Sequence, residues 1–286
     1  MTDQASRPVA VLGAGVMGTG IAALVLGCGI PVTLIDIDEA KLAEAEASVP
    51  RQLRLGQLMG QLPPGARTAG MTTTTEIGRV ADAQAVIEAV TERLGAKSAA
   101  LASATAAVAP GTLVISNTSA IPIDELAGFT AHPEDVVGIH FMNPPYLIRT
   151  VELIAGPRSA PTAIKQAEEL LSVLGCAPVL VGDGPGFVIN RILQRAINEA
   201  ALIVESGIAT AEAVDALFTG CLGHRAGPLA TGDLIGLDNV VDSLTVLLER
   251  TGDDGYRPCE LLLDKVAAGE WGRKSGRGFF DYEGAR

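Results

Sequence analysis

The sequence predicts an α/β fold, a doubly wound sheet followed by an all-α C-terminal domain. Short apolar runs rich in β-branched residues alternate with helix-like segments through the first part of the chain, which is the βαβ pattern of such a sheet. From about residue 185 onward the pattern is helical. The turn-rich segment GDGPGF at 182–187 separates the two parts, so we predict domains at residues 1–184 and 185–286.

Each predicted strand is short, apolar and bounded by turn or polar residues, as buried parallel strands are. In chain order they are Val9–Leu12, Val32–Ile35, Ala85–Glu88, Leu113–Ser116, Val136–His140, residues 151–154 and an edge strand at 179–181. In the second part, apolar residues recur with helical spacing over one long segment, 188–206, which Gly207 ends. Later helices are predicted at 210–218, 237–250 and 260–268.

The composition excludes several classes of protein. Of the 286 residues 48% are hydrophobic and 19% are charged, which is typical of a globular chain. The net charge of −12 argues against binding to nucleic acid or to an anionic membrane. The four cysteines form no CxxC pair, and the polar start at residues 1–7 does not look like a targeting segment. We therefore expect a cytoplasmic protein with free thiols.

The segment that follows the first strand, Gly13-Ala-Gly15-Val-Met-Gly18, has the spacing of a dinucleotide-binding turn. Gly13 permits the tight turn, Gly15 leaves room for a pyrophosphate, and Gly18 lets the helix pack on the strand. The start of that helix, at Val16 and Met17, presents N–H groups and a partial positive charge to the phosphates. The sequence therefore predicts a Rossmann-type, dinucleotide-binding sheet.

Asp36 indicates which dinucleotide binds. It stands at the end of the second strand, 18 residues after Gly18, where a carboxylate can accept hydrogen bonds from both ribose hydroxyls. It would repel a 2′-phosphate, and no Arg or Lys stands beside it in the sequence. We therefore predict NAD as the cofactor.

His140 and Glu152 are the strongest candidates for chemistry. His140 ends an apolar strand, at the edge where open α/β sheets bind ligands, and histidine is the natural base near neutral pH. Glu152 lies within the next apolar run, where a carboxylate is costly unless it is paired. A carboxylate on the second ring nitrogen would fix the tautomer and stabilise the imidazolium. No cluster has metal-ligand spacing, so we predict no metal.

Further motifs run in order along nearly the whole chain. They are Glu88-Ala-Val-Thr-Glu92 with Lys97, Ser116-Asn117-Thr-Ser119, His140-Phe-Met-Asn143-Pro with Glu152, Pro185-Gly-Phe-Val-Ile-Asn190-Arg, Gly227-Pro-Leu, Asp233-Leu-Ile-Gly-Leu-Asp238 and Gly272-Arg-Lys274-Ser-Gly. Together they resemble the L-3-hydroxyacyl-CoA dehydrogenase family. The resemblance implies NAD-dependent oxidation of the 3-hydroxyl of an acyl thioester. It also implies that the helical domain binds substrate and forms a homodimer.

The resemblance also implies a role for each matching residue. His140 is the base and Glu152 the acid that holds it, while Ser119 and Asn190 surround the reacting hydroxyl and the thioester. The residues that line the cofactor, besides the glycine turn and Asp36, are Glu92, Lys97, Asn117, Ser119, Asn143 and Lys274.

Residues 37–75 depart from the family pattern. The family carries a helical hairpin there, with a lysine on its first helix that helps to hold the CoA end. In this chain the lysine position falls near Leu55, with Arg54 beside it as a candidate substrate-binding residue. Residues 49–75 also carry Arg51 and Arg67 and no acid, and Pro50 is expected to break or kink the first helix.

These departures leave the acyl carrier open. Most consistent with the family is a CoA thioester, but a spread of arginines also suits an acyl carrier protein, as in relatives that supply polyketide extender units. The stretch Asn143-Pro-Pro-Tyr146 is similar to relatives that act on free polar hydroxy acids, such as L-gulonate and L-carnitine dehydrogenases. A non-catalytic NAD-binding protein is the alternative from another class.

Overall fold

The computed structural model describes residues 7–65 and 70–282. It divides into two compact units, Met1–Gly184 and Pro185–Arg286. Each unit has its own apolar core and is described by itself.

The described part of the first unit forms an eight-stranded sheet with the order β3-β2-β1-β4-β5-β6-β7-β8. The strands are β1 Val9–Leu12, β2 Val32–Ile35, β3 Met71–Thr74, β4 Ala85–Glu88, β5 Leu113–Ser116, β6 Val136–His140, β7 Thr150–Ala155 and β8 Ala177–Gly182. All neighbouring pairs are parallel except β6 and β7, which are antiparallel. This confirms the predicted fold class, although β3 was not predicted.

Five α-helices are described in the first unit. They are α1 Val16–Gly27, α2 Glu39–Leu58, α3 Leu94–Ala107, α4 Ile123–Ala127 and α5 Pro161–Val173. α1 is buried on all sides from Gly18 to Gly27, and its aliphatic side chains join those of the inner strands in the core. Asp38 caps the N-terminus of α2, and its carboxylate accepts hydrogen bonds from the backbone N–H groups of Ala40 and Lys41.

Pro50 was expected to break or kink the helix, and a break is excluded because α2 continues through it to Leu58. A proline inside a helix removes one backbone hydrogen bond. Here Val49 and Leu53, on either side of the proline, are buried in the core. The packing of this face holds the helix together across the missing bond.

The regular secondary structure of the described residues in the second unit is α-helical, apart from short 3₁₀ turns and isolated bridges, as the sequence predicted. The helices are α6 Ile189–Glu205, α7 Ala211–Leu222, α8 Pro228–Ile235, α9 Leu237–Thr251 and α10 Glu260–Ala267. α8 was not predicted. Among the described residues no helix combines the length and the apolar character needed to cross a membrane.

Candidate active site

The glycine turn after β1 has the shape that a bound pyrophosphate needs. Gly13 has φ +100°, and a Cβ built on it would lie 2.6 Å from the carbonyl oxygen of Ala89. A Cβ on Gly18 would lie 1.8 Å from the carbonyl oxygen of Gly13, whereas one on Gly15 meets nothing within 4 Å. The turn is therefore closed against the sheet and open above Gly15. The start of α1, at Val16 and Met17, follows Gly15 without a side-chain cap.

Asp36 faces this turn. Its Oδ2 accepts a hydrogen bond from the backbone N–H of Ala14 at 2.7 Å, and its Oδ1 accepts one from the N–H of Asp38 at 3.0 Å. The residue that caps α2 is Asp38, so capping does not explain Asp36. The carboxylate is thus held at the end of β2, beside the turn, where it fits the ribose of a dinucleotide.

His140 and Glu152 are brought together by the antiparallel pair of β6 and β7. They stand opposite each other in the register of β6 and β7, and the distance between Nδ1 of His140 and Oε2 of Glu152 is 2.7 Å. Both residues are buried, with exposed fractions of 7% and 5%. Asn117, which follows β5, accepts a hydrogen bond from the N–H of Phe141 on its Oδ1 at 3.0 Å and so fixes the end of β6.

Lys97 lies in a buried charge network that sequence reasoning did not predict. Its Nζ is 2.9 Å from Oε1 of Glu88 and 3.2 Å from Oε2 of Glu92, and it also donates to the carbonyl of Val90 at 3.3 Å. Lys97 is 1% exposed and Glu88 is fully buried. Burial alone would lower the pKa of Lys97, but the carboxylates of Glu92 and Glu88 outweigh it and raise that pKa. The sequence feature that could have revealed this network is Glu88, a carboxylate at the end of the apolar strand β4.

Glu92 links this charge network to the loop that carries Ser119. Its Oε1 accepts hydrogen bonds from the hydroxyl of Thr118 at 2.5 Å and from the N–H groups of Ser119 at 2.9 Å and Ala120 at 3.0 Å. Burial would raise the pKa of Glu92, but the ammonium of Lys97 and these hydrogen bonds lower it. The ionised carboxylate therefore holds the Ser119 loop.

The stretch that follows the histidine packs on the helices of the first unit. A Cβ on Gly20 of α1 would lie 2.7 Å from Cδ of Pro145, and one on Gly56 of α2 would lie 3.3 Å from Cδ2 of Tyr146. Tyr146 is 6% exposed, and burial raises the pKa of its phenol. Asn143, in contrast, is exposed. The tyrosine of the NPPY stretch therefore has a packing role, and it gives no support to a polar substrate.

The second unit holds two of the predicted site residues. Asn190 is the second residue of α6 and is buried. Nζ of Lys274 lies 2.5 Å from Oδ2 of Asp238 and 5.4 Å from the centre of the Trp271 ring. Their placement within this unit does not test the predicted roles, which remain proposals.

The region where the family carries a helical hairpin, residues 37–75, contains one α-helix within the described residues, and α2 is followed by bends and turns up to Gly65. Arg54 is exposed on α2, and so is Arg51, whose Nε donates to the carbonyl of Ala47 at 3.0 Å. Arg67, the third arginine of the predicted patch, lies outside the described residues.

One group of possible metal ligands occurs in the described chain, at His132, Glu134 and Asp135, whose ligand atoms lie within 4.8 Å of one another. Oδ2 of Asp135 already accepts the N–H of Gly111 at 2.7 Å, and exposed acidic groups often cluster without an ion. The absence of a metal remains a prediction.

The first unit has the architecture of an NAD-dependent dehydrogenase, because a dinucleotide-binding glycine turn and a histidine paired with a carboxylate lie at the same edge of one sheet. Two family models match in succession. Residues 8–184 match the NAD-binding domain of 3-hydroxyacyl-CoA dehydrogenase, and residues 186–282 match its C-terminal domain. The chain belongs to the 3-hydroxyacyl-CoA dehydrogenase family, and its cofactor is NAD, as predicted.

Known proteins resemble this chain over its full length. A probable 3-hydroxybutyryl-CoA dehydrogenase of Bacillus subtilis is 38% identical, over 97% of this chain and 98% of the relative. The structure of (S)-3-hydroxybutyryl-CoA dehydrogenase PaaH1 from Ralstonia eutropha matches with a TM-score of 0.89 and 36% identity, over 97% of this chain and 99% of the other. A 5-formyl-3-hydroxy-2-methylpyridine 4-carboxylate 5-dehydrogenase of Mesorhizobium japonicum is 33% identical, over 96% of this chain and 91% of the relative.

Proposed function

We propose that the protein oxidises the 3-hydroxyl of an acyl-CoA thioester to the 3-oxo compound, reversibly and with NAD, and that His140 is the base. The observation that carries the proposal is the buried 2.7 Å contact between His140 and Glu152. It is supported by full-length likeness to proteins named as 3-hydroxybutyryl-CoA dehydrogenases.

In the pair of His140 and Glu152, the two ring nitrogens of the histidine have different roles. Glu152 accepts a hydrogen bond from Nδ1 of His140, and Nε2, the other ring nitrogen, would take the proton from the substrate hydroxyl. Glu152 also stabilises the imidazolium that forms, because both groups are buried and poorly screened. NAD, when bound, accepts the hydride. In the reverse direction, His140 returns the proton to the 3-oxo oxygen.

The cofactor would be held by the glycine turn and Asp36, both of which fit it by shape and charge. We assign Glu92, Asn117, Asn143 and Lys274 to the walls of its site by family resemblance, with Lys97 acting through Glu92. Ser119 and Asn190 would bind the hydroxyl and the thioester. Ser119 suits this role because its loop is fixed by the Glu92 carboxylate.

The decisive experiment compares His140→Ala and Glu152→Gln with the control His132→Ala, which removes a half-exposed histidine of the same unit. Loss of a general base usually costs 10²–10⁴-fold in rate, so we expect kcat to fall by about that factor in the His140 variant. NADH binding, followed by fluorescence, should be unchanged. The substrates should include 3-hydroxybutyryl-CoA and a free 3-hydroxy acid. A His140→Ala enzyme that retained a third of its kcat would exclude His140 as the base.

We further propose that the second unit forms a homodimer. Large apolar side chains are exposed on several of its helices, among them Ile192 at 66%, Leu217 at 59% and Leu234 at 63%. Apolar surface of this extent marks interaction sites, and two-fold dimers are the commonest closed assembly. Light scattering at micromolar concentration should give twice the mass of 29.3 kDa, and a monomer would exclude the proposal.

A further inference from the structure

We propose that the outer face of the C-terminal half of α2 docks an acyl carrier protein, so that the thioester reaches this enzyme on a protein rather than only on CoA. The α2 outer face comprises Arg51, Arg54, Leu55 and Leu58, with Met59 at the end of the helix. The inference rests on the proposed function, because a carrier protein presents its acyl group on a phosphopantetheine thioester, as CoA does.

The spacing of these residues places them on one side of the helix. Positions 51, 54, 55 and 58 follow the i, i+3, i+4, i+7 pattern of a single face. Val49, Leu53 and Gly56 form the opposite face and are buried. The outer apolar residues are therefore not needed for the fold, and they are open to solvent, with exposed fractions of 44% for Leu55, 78% for Leu58 and 59% for Met59.

The charge of the α2 outer face is opposite to that of the chain. From residue 47 to residue 65 there are two arginines and no acid, in a chain of net charge −12. Neither arginine pairs with a carboxylate in the described part of the chain. The acids of α2 lie in its N-terminal half, where Glu46 already accepts the hydroxyl of Thr73 at 2.7 Å. Two uncompensated cations thus flank an exposed apolar ridge.

This combination fits an acidic amphipathic helix better than a nucleotide. The 3′-phosphorylated end of CoA would use the arginines, but its single adenine ring could cover only part of the apolar surface formed by Leu55, Leu58 and Met59. A carrier-protein helix offers both carboxylates for the arginines and apolar side chains for the ridge. The face extends over about two helical turns, which is enough for one helix to lie across it.

The α2 outer face is also connected to the candidate active site by hydrogen bonds and packing. The carbonyl of Gln61, just after α2, accepts a hydrogen bond from Arg149, whose Nη1 also donates to the carbonyl of Leu174 at 2.8 Å. Gly56 packs against Tyr146 in the loop that follows His140. A partner seated on α2 would therefore be held at a constant position relative to β6 and β7.

The test uses the full-length protein and one 3-oxobutyryl group on three carriers: a bacterial type II acyl carrier protein, CoA and pantetheine. The variants are Arg51→Glu and Leu58→Asp. The matched control is Arg79→Glu, an exposed arginine elsewhere in the first unit. We expect the first two variants to raise KM for the carrier-protein substrate about tenfold, with kcat and the pantetheine reaction unchanged. In a direct binding assay with holo carrier protein, they should weaken binding and its dependence on salt.

An equal loss for the CoA substrate would show that the α2 outer face binds the nucleotide, and equal KM values for all variants would show that it is a solvated surface. Either result overturns the proposal. The pantetheine substrate separates the two hypotheses, because its turnover depends on the proposed function and not on the α2 outer face. If no thioester is turned over, the proposed function fails, and the binding assay alone still decides whether a carrier protein docks.

Discussion

Replacing Lys97 with methionine tests whether the buried charge network supports the site. The substitution retains an unbranched side chain but leaves the Glu88 carboxylate buried without its cation. Removing one partner of a buried ion pair typically costs about 3–5 kcal/mol. Glu88 would keep its hydrogen bonds from the hydroxyl of Ser116 at 2.6 Å and the N–H of Val90 at 2.8 Å. We therefore expect the lower end of that range, about 3 kcal/mol.

The loss should be measurable by denaturation. For a unit of this size, 1 kcal/mol corresponds to about 2–4 °C in Tm, so Lys97→Met should lower Tm by roughly 6–12 °C. The double variant with Glu88→Gln removes both charges and should recover part of the loss, with a coupling energy of about 1–3 kcal/mol. The control is Lys165→Met, which cuts a 3.7 Å pair with Glu169 on the surface. It should change stability by less than about 0.5 kcal/mol.

A Lys97→Met protein that was no less stable than Lys165→Met would refute this reasoning. It would mean that the Glu88 carboxylate becomes solvated or protonated with no measurable loss in the free energy of unfolding. Circular dichroism at pH 7 in urea and on heating gives both quantities, and the linear dependence on urea gives the free energy of unfolding.

Three further predictions follow from single groups. Asp36→Ala should lower kcat/KM for NAD about 10–100-fold, because hydrogen bonds to a charged group contribute about 1.5–3 kcal/mol. It should also narrow the preference for NAD over NADP. Equal use of both cofactors by the wild-type enzyme would contradict this prediction. The lowered pKa of Glu92 means that its stabilisation is present above the ordinary value of 4.5 and is lost as the pH falls through the folded value, so the difference in urea midpoint between wild type and Glu92→Gln should shrink as the pH falls below 4.5. Burial raises the pKa of Cys259 to about 11, so iodoacetamide at pH 8 should modify the exposed Cys221 first and Cys259 only in urea. Mass spectrometry that found Cys259 modified in the native protein as fast as Cys221 would contradict this prediction.

The inner strands were predictable because they are buried on both faces. β1, β2, β4, β5 and β6 have the predicted bounds, since an apolar run between turn residues leaves little choice of where a strand begins or ends. β3 was missed because its sequence, Met-Thr-Thr-Thr, lies at the sheet edge and is only partly buried. The Pro228 that opens α8 was an available signal, because proline favours the first helical turn, but the helix has only eight residues.

The pairing of His140 with Glu152 was predictable in kind, because a carboxylate in an apolar strand needs a partner. Its geometry was not, because the register of β6 against β7 depends on contacts that neither segment reveals alone. Lys97 shows a different limit. The family resemblance assigned it to the cofactor site, which remains a proposal. Its ammonium contacts Glu88 and Glu92, and those contacts depend on β4 and α3 coming together in the fold.

The antiparallel pairing of β6 and β7 decides which parts of the candidate site tolerate substitution. Backbone bonds between the two strands place His140, the proposed base, opposite Glu152, and a slip of one residue in either strand would turn that strand's side chain to the other face of the sheet. Strand pairing thus constrains the geometry on which the proposed proton transfer depends. In the connecting loop, residues 141–149, the constraint comes from packing instead, because Pro145 and Tyr146 contact α1 and α2. Since loops tolerate substitution better than strands where they are exposed, changes at Ile148, which is 39% exposed, should leave the proposed proton transfer unaltered, whereas changes at the buried Tyr146 should disturb the packing of the loop on α2.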